Sequence, residues 1–190
     1  MERSLEFSKI SEVIRDDIAY ESKDVLLAEG DSLSLIKKIP DNSISLILTD
    51  PPYHSTKKVN IYGDKAFQKD QDYLQWLSQY IEEWKRIIRP NGSIYCFCAS
   101  EMAARLEVAF SETFNILSHI VWTKPNEPGF DGWKQKMKKE SLRQWYAHSE
   151  RIIFAEPAME GNLKRSYFGN FLRSIRNKAE LSGNQLDRKS

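Results

Sequence analysis

The segment Ile44-Ser45-Leu46-Ile47-Leu48-Thr49-Asp50-Pro51-Pro52-Tyr53 is a near-continuous apolar run that stops on a carboxylate and two prolines. Such a run is expected of a strand buried on both faces of a parallel sheet. Proline has no N–H to give to a sheet ladder, so the strand ends abruptly at Asp50. Asp50, Pro51, Pro52 and Tyr53 therefore stand at the carboxyl edge of a sheet, where open α/β folds bind their ligands.

The flanking sequence supplies the rest of such a fold. Upstream, Val25-Leu26-Leu27-Ala28 reads as a short strand ending at Gly30-Asp31. Leu33, Ile36 and Ile39 then recur at helical spacing, with Ser32 or Asp31 as N-cap, and Pro40-Asp41-Asn42-Ser43 is turn chemistry. Downstream, residues 54–69 are polar and mixed and read as a mobile loop. Residues 70–89 predict a long amphipathic helix with Tyr73, Leu74, Leu77, Tyr80, Ile81, Trp84, Ile87 and Ile88 along one side, stopped by Pro90-Asn91-Gly92. Residues 94–98 read as a core strand, 101–110 as a helix, and 116–122 and 151–155 as a final pair of strands. The alternation predicts a doubly wound α/β sheet.

Bulk properties are those of one ordinary globular domain: 190 residues, 41% hydrophobic, 29% charged and 12% aromatic. The net charge of +1 excludes a protein that holds nucleic acid by overall charge but leaves room for a local basic face. Cys96 and Cys98 lie two apart in a strand and point to the same face, so they read as buried thiols rather than a bridge or a metal pair. No apolar stretch approaches the roughly 20 residues of a membrane span, and the polar N-terminus is unlike a signal peptide. A cytoplasmic protein is expected.

Each residue type in the tetrapeptide has a chemical use at a sheet edge. An ionised carboxylate only accepts hydrogen bonds, which suits an exocyclic amine. The prolines stiffen the turn and turn carbonyls toward a ligand. A tyrosine ring offers a flat surface to a flipped-out base. Together they suit alkylation of an amino group conjugated into a base ring, with acceptors drawing the amine hydrogens out of plane and positioning supplying the catalysis. Alone, the tetrapeptide also fits a simple turn. The strand before it, and a second strand-ending acid, Asp31, 19 positions upstream, favour a site.

The full series runs Leu27-Ala28-Glu29-Gly30-Asp31, Leu46 to Tyr53, Glu83-Trp84-Lys85-Arg86-Ile87-Ile88-Arg89-Pro90-Asn91-Gly92-Ser93-Ile94-Tyr95, Ile120-Val121-Trp122-Thr123-Lys124 and His148-Ser149-Glu150-Arg151-Ile152-Ile153-Phe154. Over roughly residues 25–156 this order resembles the circularly permuted, β-class DNA amino-methyltransferases. The resemblance implies a Rossmann-like class I methyltransferase sheet with a terminal antiparallel strand pair. It also implies S-adenosylmethionine as cofactor, double-stranded DNA as partner, and transfer to adenine N6, with cytosine N4 as the alternative. By the same resemblance Asp50, Pro51, Pro52 and Tyr53 form the catalytic motif. Asp50 also contacts the cofactor, Tyr53 stacks on the target base, and Asp31 bonds the cofactor's adenine amino group. The divisions expected are an N-terminal extension (1–24), a catalytic region (25–158) and the start of a target-recognition or linker segment (159–190).

The sequence departs from the family pattern in one respect. The glycine-rich cofactor loop of the Phe-x-Gly-x-Gly kind is not found, and in the β class it lies beyond the target-recognition region. The two strands that carry it would lie between the strand ending at Asp31 and the strand ending at Tyr53. Their absence is expected to leave the Asp50 strand with a long apolar edge, and these 190 residues alone with weak cofactor binding. An RNA amino-methyltransferase is disfavoured, because such enzymes place the glycine-rich loop before the tetrapeptide and only Gly30 precedes Asp50. A truncated, inactive nucleic-acid-binding relative is the alternative of a different class.

Lys134, Lys136, Lys138, Lys139 and Arg143, with Trp133 and Trp145, form a basic loop that either contacts DNA phosphates or is merely solvated. His54 follows Tyr53 and is a possible base contact. His148 has no ligand spacing for a metal, and His119 decorates a strand. Residues 163–179 have helical spacing at Phe168, Leu172 and Ile175, with Arg173 and Arg176 alongside, and the segment after Ala179 weakly resembles the turn of a helix-turn-helix.

Overall fold

A computed structural model of the chain describes residues 5–53, 67, 69–123, 149–158 and 167–180. The polypeptide opens with α1 (Leu5–Val13), a short 3-10 turn (Arg15–Asp17) and strand β1 (Ile18–Glu21), then β2 (Leu26–Ala28), α2 (Ser32–Lys38) and β3 (Ile44–Thr49). Helix α3 (Asp70–Ile87), β4 (Ile88–Cys98), α4 (Ala103–Ser111), β5 (Phe114–Thr123), β6 (Ser149–Pro157) and α5 (Tyr167–Lys178) follow.

The four longer strands form one sheet in the order β3-β4-β6-β5. β3 runs parallel to β4, whereas β6 is inserted between β4 and β5 and is antiparallel to both. The expected terminal antiparallel pair is therefore present, and its second strand is the one that joins the pair to the rest of the sheet. β1 and β2 make a separate antiparallel pair.

Helix α3 buries Tyr73, Leu77, Tyr80, Ile81, Trp84 and Ile87, the stripe anticipated from its 3.6-residue period. Acidic Asp70 and Asp72 in its first turn and basic Lys85 and Arg86 in its last suit the helix dipole. With Leu106 and Phe110 of α4, this stripe packs on the sheet face carrying Ile94, Cys96, Cys98, Ile153 and Ala155. Both cysteines are buried free thiols. Burial raises their pKa values, that of Cys98 to about 12.

Arg86 ties α2 to the end of α3. Its guanidinium donates to the carbonyls of Ile36 (3.0 Å) and Ile39 (2.7 Å) and pairs with Asp41 (2.6 Å) and Glu83 (2.8 Å). The Ile36 carbonyl, which also accepts the Ile39 amide at 3.0 Å, and the Ile39 carbonyl just past the last turn of α2 both gain a donor in this way. The expected turn at 40–43 docks on the same point, with the Asn42 and Ser43 amides donating to the carbonyls of Arg86 and Ile87. Asn42 adopts φ 51°, a left-handed conformation that asparagine tolerates.

Three expectations are corrected. First, β3 is not buried on both faces. It stands at the edge of the sheet, and Leu46 and Leu48 are 55% and 67% exposed. Its composition suits a doubly covered strand, but among the described residues α3 and α4 cover only the face of Ile47. Among the described residues β3 pairs only with β4, and β2 pairs with β1 rather than with β3. Second, Pro90-Asn91-Gly92 does more than end a helix. Ile44 pairs with Ile88 and Leu46 with Ser93, so residues 89–92 loop out of the ladder before the strand resumes. A Cβ on Gly92 would lie 2.5 Å from Ile88 Cγ1, which explains a glycine there. Third, residues 5–21 carry α1 and β1 although no element was legible in them. Asp17 pairs with Lys38 (2.5 Å) and Glu6 with Arg89 (3.2 Å).

Among the described residues no helix is long and apolar enough to cross a membrane, and no group of three or more His, Cys, Asp or Glu is placed to hold a metal ion.

Candidate active site

The carboxyl ends of β2 and β3 open onto one cavity of about 390 Å³. Gly30, Asp31 and Ser32 line it from the first strand, and Thr49, Asp50, Pro51 and Pro52 from the second. Trp76, Leu77, Tyr80 and Trp84 of α3 form the wall. Asp31 and Asp50 were assigned to one cofactor site although their strands belong to different sheets, and the fold brings both to the same space.

Local chemistry explains each position. Asp31 is the N-cap of α2, its Oδ1 accepting from the Ser34 amide (2.9 Å) and the Ser34 hydroxyl (2.8 Å). Of the two caps left open by the sequence, Asp31 is the one used, and the cap fixes its carboxylate at the cavity mouth. Gly30, at φ 157°, makes the turn into that cap in a region L side chains rarely adopt. The hydroxyls of Ser32 and Tyr80 lie 3.2 Å apart and join α2 to the aromatic wall.

That wall is a run of ring contacts: Phe67 with Trp76 at 5.3 Å, Trp76 with Tyr80 at 5.0 Å and Tyr80 with Trp84 at 5.9 Å. Trp76 was missed by sequence reasoning. It sits one turn from both Tyr73 and Tyr80, at the margin of the apolar stripe, and that spacing was the available signal.

Pro51 is buried, while Pro52 and Tyr53 are half-buried at the end of β3. The Tyr53 hydroxyl donates to Glu150 Oε2 at 2.9 Å. Burial, first, and then the neighbouring carboxylates of Glu150 and Asp50 raise the phenol's pKa far above its ordinary value. Glu150 is the second residue that sequence reasoning missed. Because β6 runs antiparallel, its first residues arrive at the carboxyl end of β4, where Cys98 pairs with Arg151. The Ser100 hydroxyl also donates to the Ser149 carbonyl at 2.8 Å.

His119 stands on β5 with Nε2 3.4 Å from Glu107. His54, Trp133, Lys134, Lys136, Lys138, Lys139, Arg143, Trp145 and His148 lie outside the described residues. The helix expected within 163–179 is α5, with Leu172 and Ile175 about half exposed.

With this geometry in hand, comparison with known proteins is direct. The DNA adenine methyltransferase YhdJ of Escherichia coli (strain K12) is 34% identical over 97 residues, covering 51% of this chain and 32% of YhdJ. The type II methyltransferase M.BglII of Bacillus subtilis is 28% identical over 175 residues, covering 83% of this chain and 44% of that protein. Among solved structures, the cytosine-N4-specific PvuII DNA methyltransferase superposes with a TM-score of 0.57 at 20% identity, over 74% of this chain and 51% of that one. The matches thus span 32% and 44% of the length of these two curated relatives. The fold is of the class I methyltransferase kind. Residues 44–171 match the family described as DNA methylase, and the chain belongs to that N6/N4 DNA methylase family.

Proposed function

We propose that the protein transfers a methyl group from S-adenosylmethionine to the exocyclic amine of a flipped base in double-stranded DNA, with adenine N6 as the target. The observation that carries this reading is the convergence of Asp31 and Asp50 on a single aromatic-walled cavity at the carboxyl edge of the sheet. Adenine is favoured by the similarity to an enzyme named as an adenine methyltransferase and by the Asp-Pro-Pro-Tyr form of the motif.

The residues present fit the cofactor. Asp31, fixed by its capping bonds, suits an adenine amino group, and the rings of Trp76 and Tyr80 offer apolar surface beside it. Two carboxylates on one cavity give it the negative potential that attracts a sulfonium cation. When bound there, S-adenosylmethionine supplies an electrophilic methyl group.

The chain's own part is positioning and electrostatics. Asp50 and a proline carbonyl accept the hydrogens of the target amine and direct its lone pair to the donor. Tyr53 stacks on the flipped base. Lys134, Lys136, Lys138, Lys139 and Arg143 contact phosphates, and His54 adjoins the base. No glycine-rich loop of the Phe-x-Gly-x-Gly kind is found in these 190 residues, so they are expected to bind cofactor weakly in calorimetric titration. Tight stoichiometric binding would overturn that expectation.

The functional test incubates the full-length protein with unmethylated duplex DNA and labelled S-adenosylmethionine, then analyses the nucleosides by mass spectrometry. N6-methyladenine is expected. N4-methylcytosine would correct the base, methylation of RNA alone would replace the substrate, and no methylated nucleoside would favour an inactive binding relative.

A further inference from the structure

We propose that Glu150 is a positioning residue for Tyr53, holding the phenol by its hydroxyl so that the ring keeps one plane beside Asp50. The proposal rests on the reading of Tyr53 as the stacking surface for the target base. It concerns a residue 97 positions away in sequence, on a strand of opposite direction.

Pro51 and Pro52 restrict the backbone that leads into Tyr53, but they leave its side-chain torsions to be set by contacts. The 2.9 Å bond from the hydroxyl to Glu150 Oε2 supplies such a contact at the far end of the ring, where it has most leverage over orientation. The acceptor stands on a firm base. Glu150 pairs with Trp122 across the β5–β6 ladder, and its neighbours are fixed from the other side, Arg151 by pairing with Cys98 and Ser149 by the Ser100 hydroxyl. A stacking platform anchored to a strand is held more closely than one anchored to a loop.

The same bond bears on Asp50. A phenol has a single O–H, and the Tyr53 hydroxyl lies close to both the Glu150 and Asp50 carboxylates. Asp50 also acts on the hydroxyl as a hydrogen-bond acceptor, so Glu150 competes with it for the one proton and leaves the Asp50 oxygens more available to the amine of the base. Removing Glu150 leaves Asp50 as the acceptor of the hydroxyl and shifts the ring from its plane. Both changes disturb the assembled site more than the initial encounter with DNA, so the loss belongs in kcat more than in KM.

The test is a double-mutant cycle in the full-length protein with Tyr53→Phe, Glu150→Leu and the pair, beside Glu150→Gln, whose amide oxygen can still accept the bond. Glu150→Leu and Tyr53→Phe are each expected to lower kcat roughly ten- to a hundredfold, the weight of a hydrogen bond to a charged group. The pair should be little worse than either alone, and Glu150→Gln should restore most of the rate. Losses that multiply, or a Gln variant as slow as Leu, would overturn the proposal. A second readout needs no activity. With 13C-labelled tyrosine, the Tyr53 ring signal, identified by its loss in Tyr53→Phe, should shift in Glu150→Leu and stay close to wild type in Glu150→Gln. An unmoved signal would overturn the contact itself. If the wild type methylates nothing, the functional reading fails while the NMR arm still decides whether Glu150 holds Tyr53. Should Glu150→Leu not fold, Glu150→Ala carries the same cycle.

Discussion

On one face of the four-stranded sheet, Ile94, Cys96, Cys98, Ile153 and Ala155 are at most 1% exposed beneath α3 and α4, while on the other Leu46, Leu48, Ile120 and Trp122 are 37% to 67% exposed. The buried set comes from the inner strands β4 and β6 and the exposed set from the outer strands β3 and β5. Within β4 and β6 burial alternates residue by residue, with Tyr95, Phe97, Ile152 and Phe154 half-buried on the open face. The open face is apolar too, with Tyr95 stacked on Phe154 at 4.4 Å and Phe97 edge-on to Trp122 at 5.6 Å. The difference therefore lies in what covers each face rather than in the strands' composition. The cavity shared by Asp31 and Asp50 belongs to the covered half, because α3 both seals that face and presents Trp76, Tyr80 and Trp84 to it.

The comparison predicts unequal responses to similar truncations. Phe110 is fully buried, so Phe110→Ala should destabilise the fold by about 3–5 kcal/mol in urea titration. A loss under 1 kcal/mol would show that the covered face is not the core. Arg86→Ala removes the guanidinium donors from the carbonyls of Ile36 and Ile39 and the cationic partner of Asp41 and Glu83. It should cost on the order of 2–3 kcal/mol in the same assay, with circular dichroism reporting early loss of α2.

The buried thiols add a pH signature to the covered face. Their folded pKa values are raised, so their contribution is fully present below the ordinary value of 9.0 and is lost as pH rises, through about 12 for Cys98. Each pH unit in that window removes up to about 1.4 kcal/mol per thiol. The urea midpoint should fall from pH 8.5 to 10.5, and Cys98→Ala should flatten the fall. An unchanged slope in that variant would contradict the assignment. On the open face, Leu48→Ala should change stability by less than about 0.5 kcal/mol. A core-sized loss there would mean that the face is covered after all.

Much of this was legible because the informative residues are local. Asp50-Pro51-Pro52 ends β3 wherever it sits, and the spacing from Tyr73 to Ile87 requires a helix with one apolar side. What escaped depends on the order of strands. β3 reads as doubly buried because its residues suit that position, and nothing in 44–49 tells that one face stays open. Glu150 was passed over because its meaning comes from β6 running back between β4 and β5, a pairing across 97 residues that brings it to Tyr53. β1, with its largely exposed residues, gives no period to read.

The most direct test of the account compares wild type and Asp50→Ala in methyl transfer to unmethylated duplex DNA, with DNA affinity measured in parallel. Asp50→Ala is expected to lower methyl transfer a hundredfold or more, roughly the weight of a key electrostatic group, with DNA affinity nearly unchanged. Methylation by Asp50→Ala at close to the wild-type rate would contradict it and move the chemistry away from the cavity shared by Asp31 and Asp50.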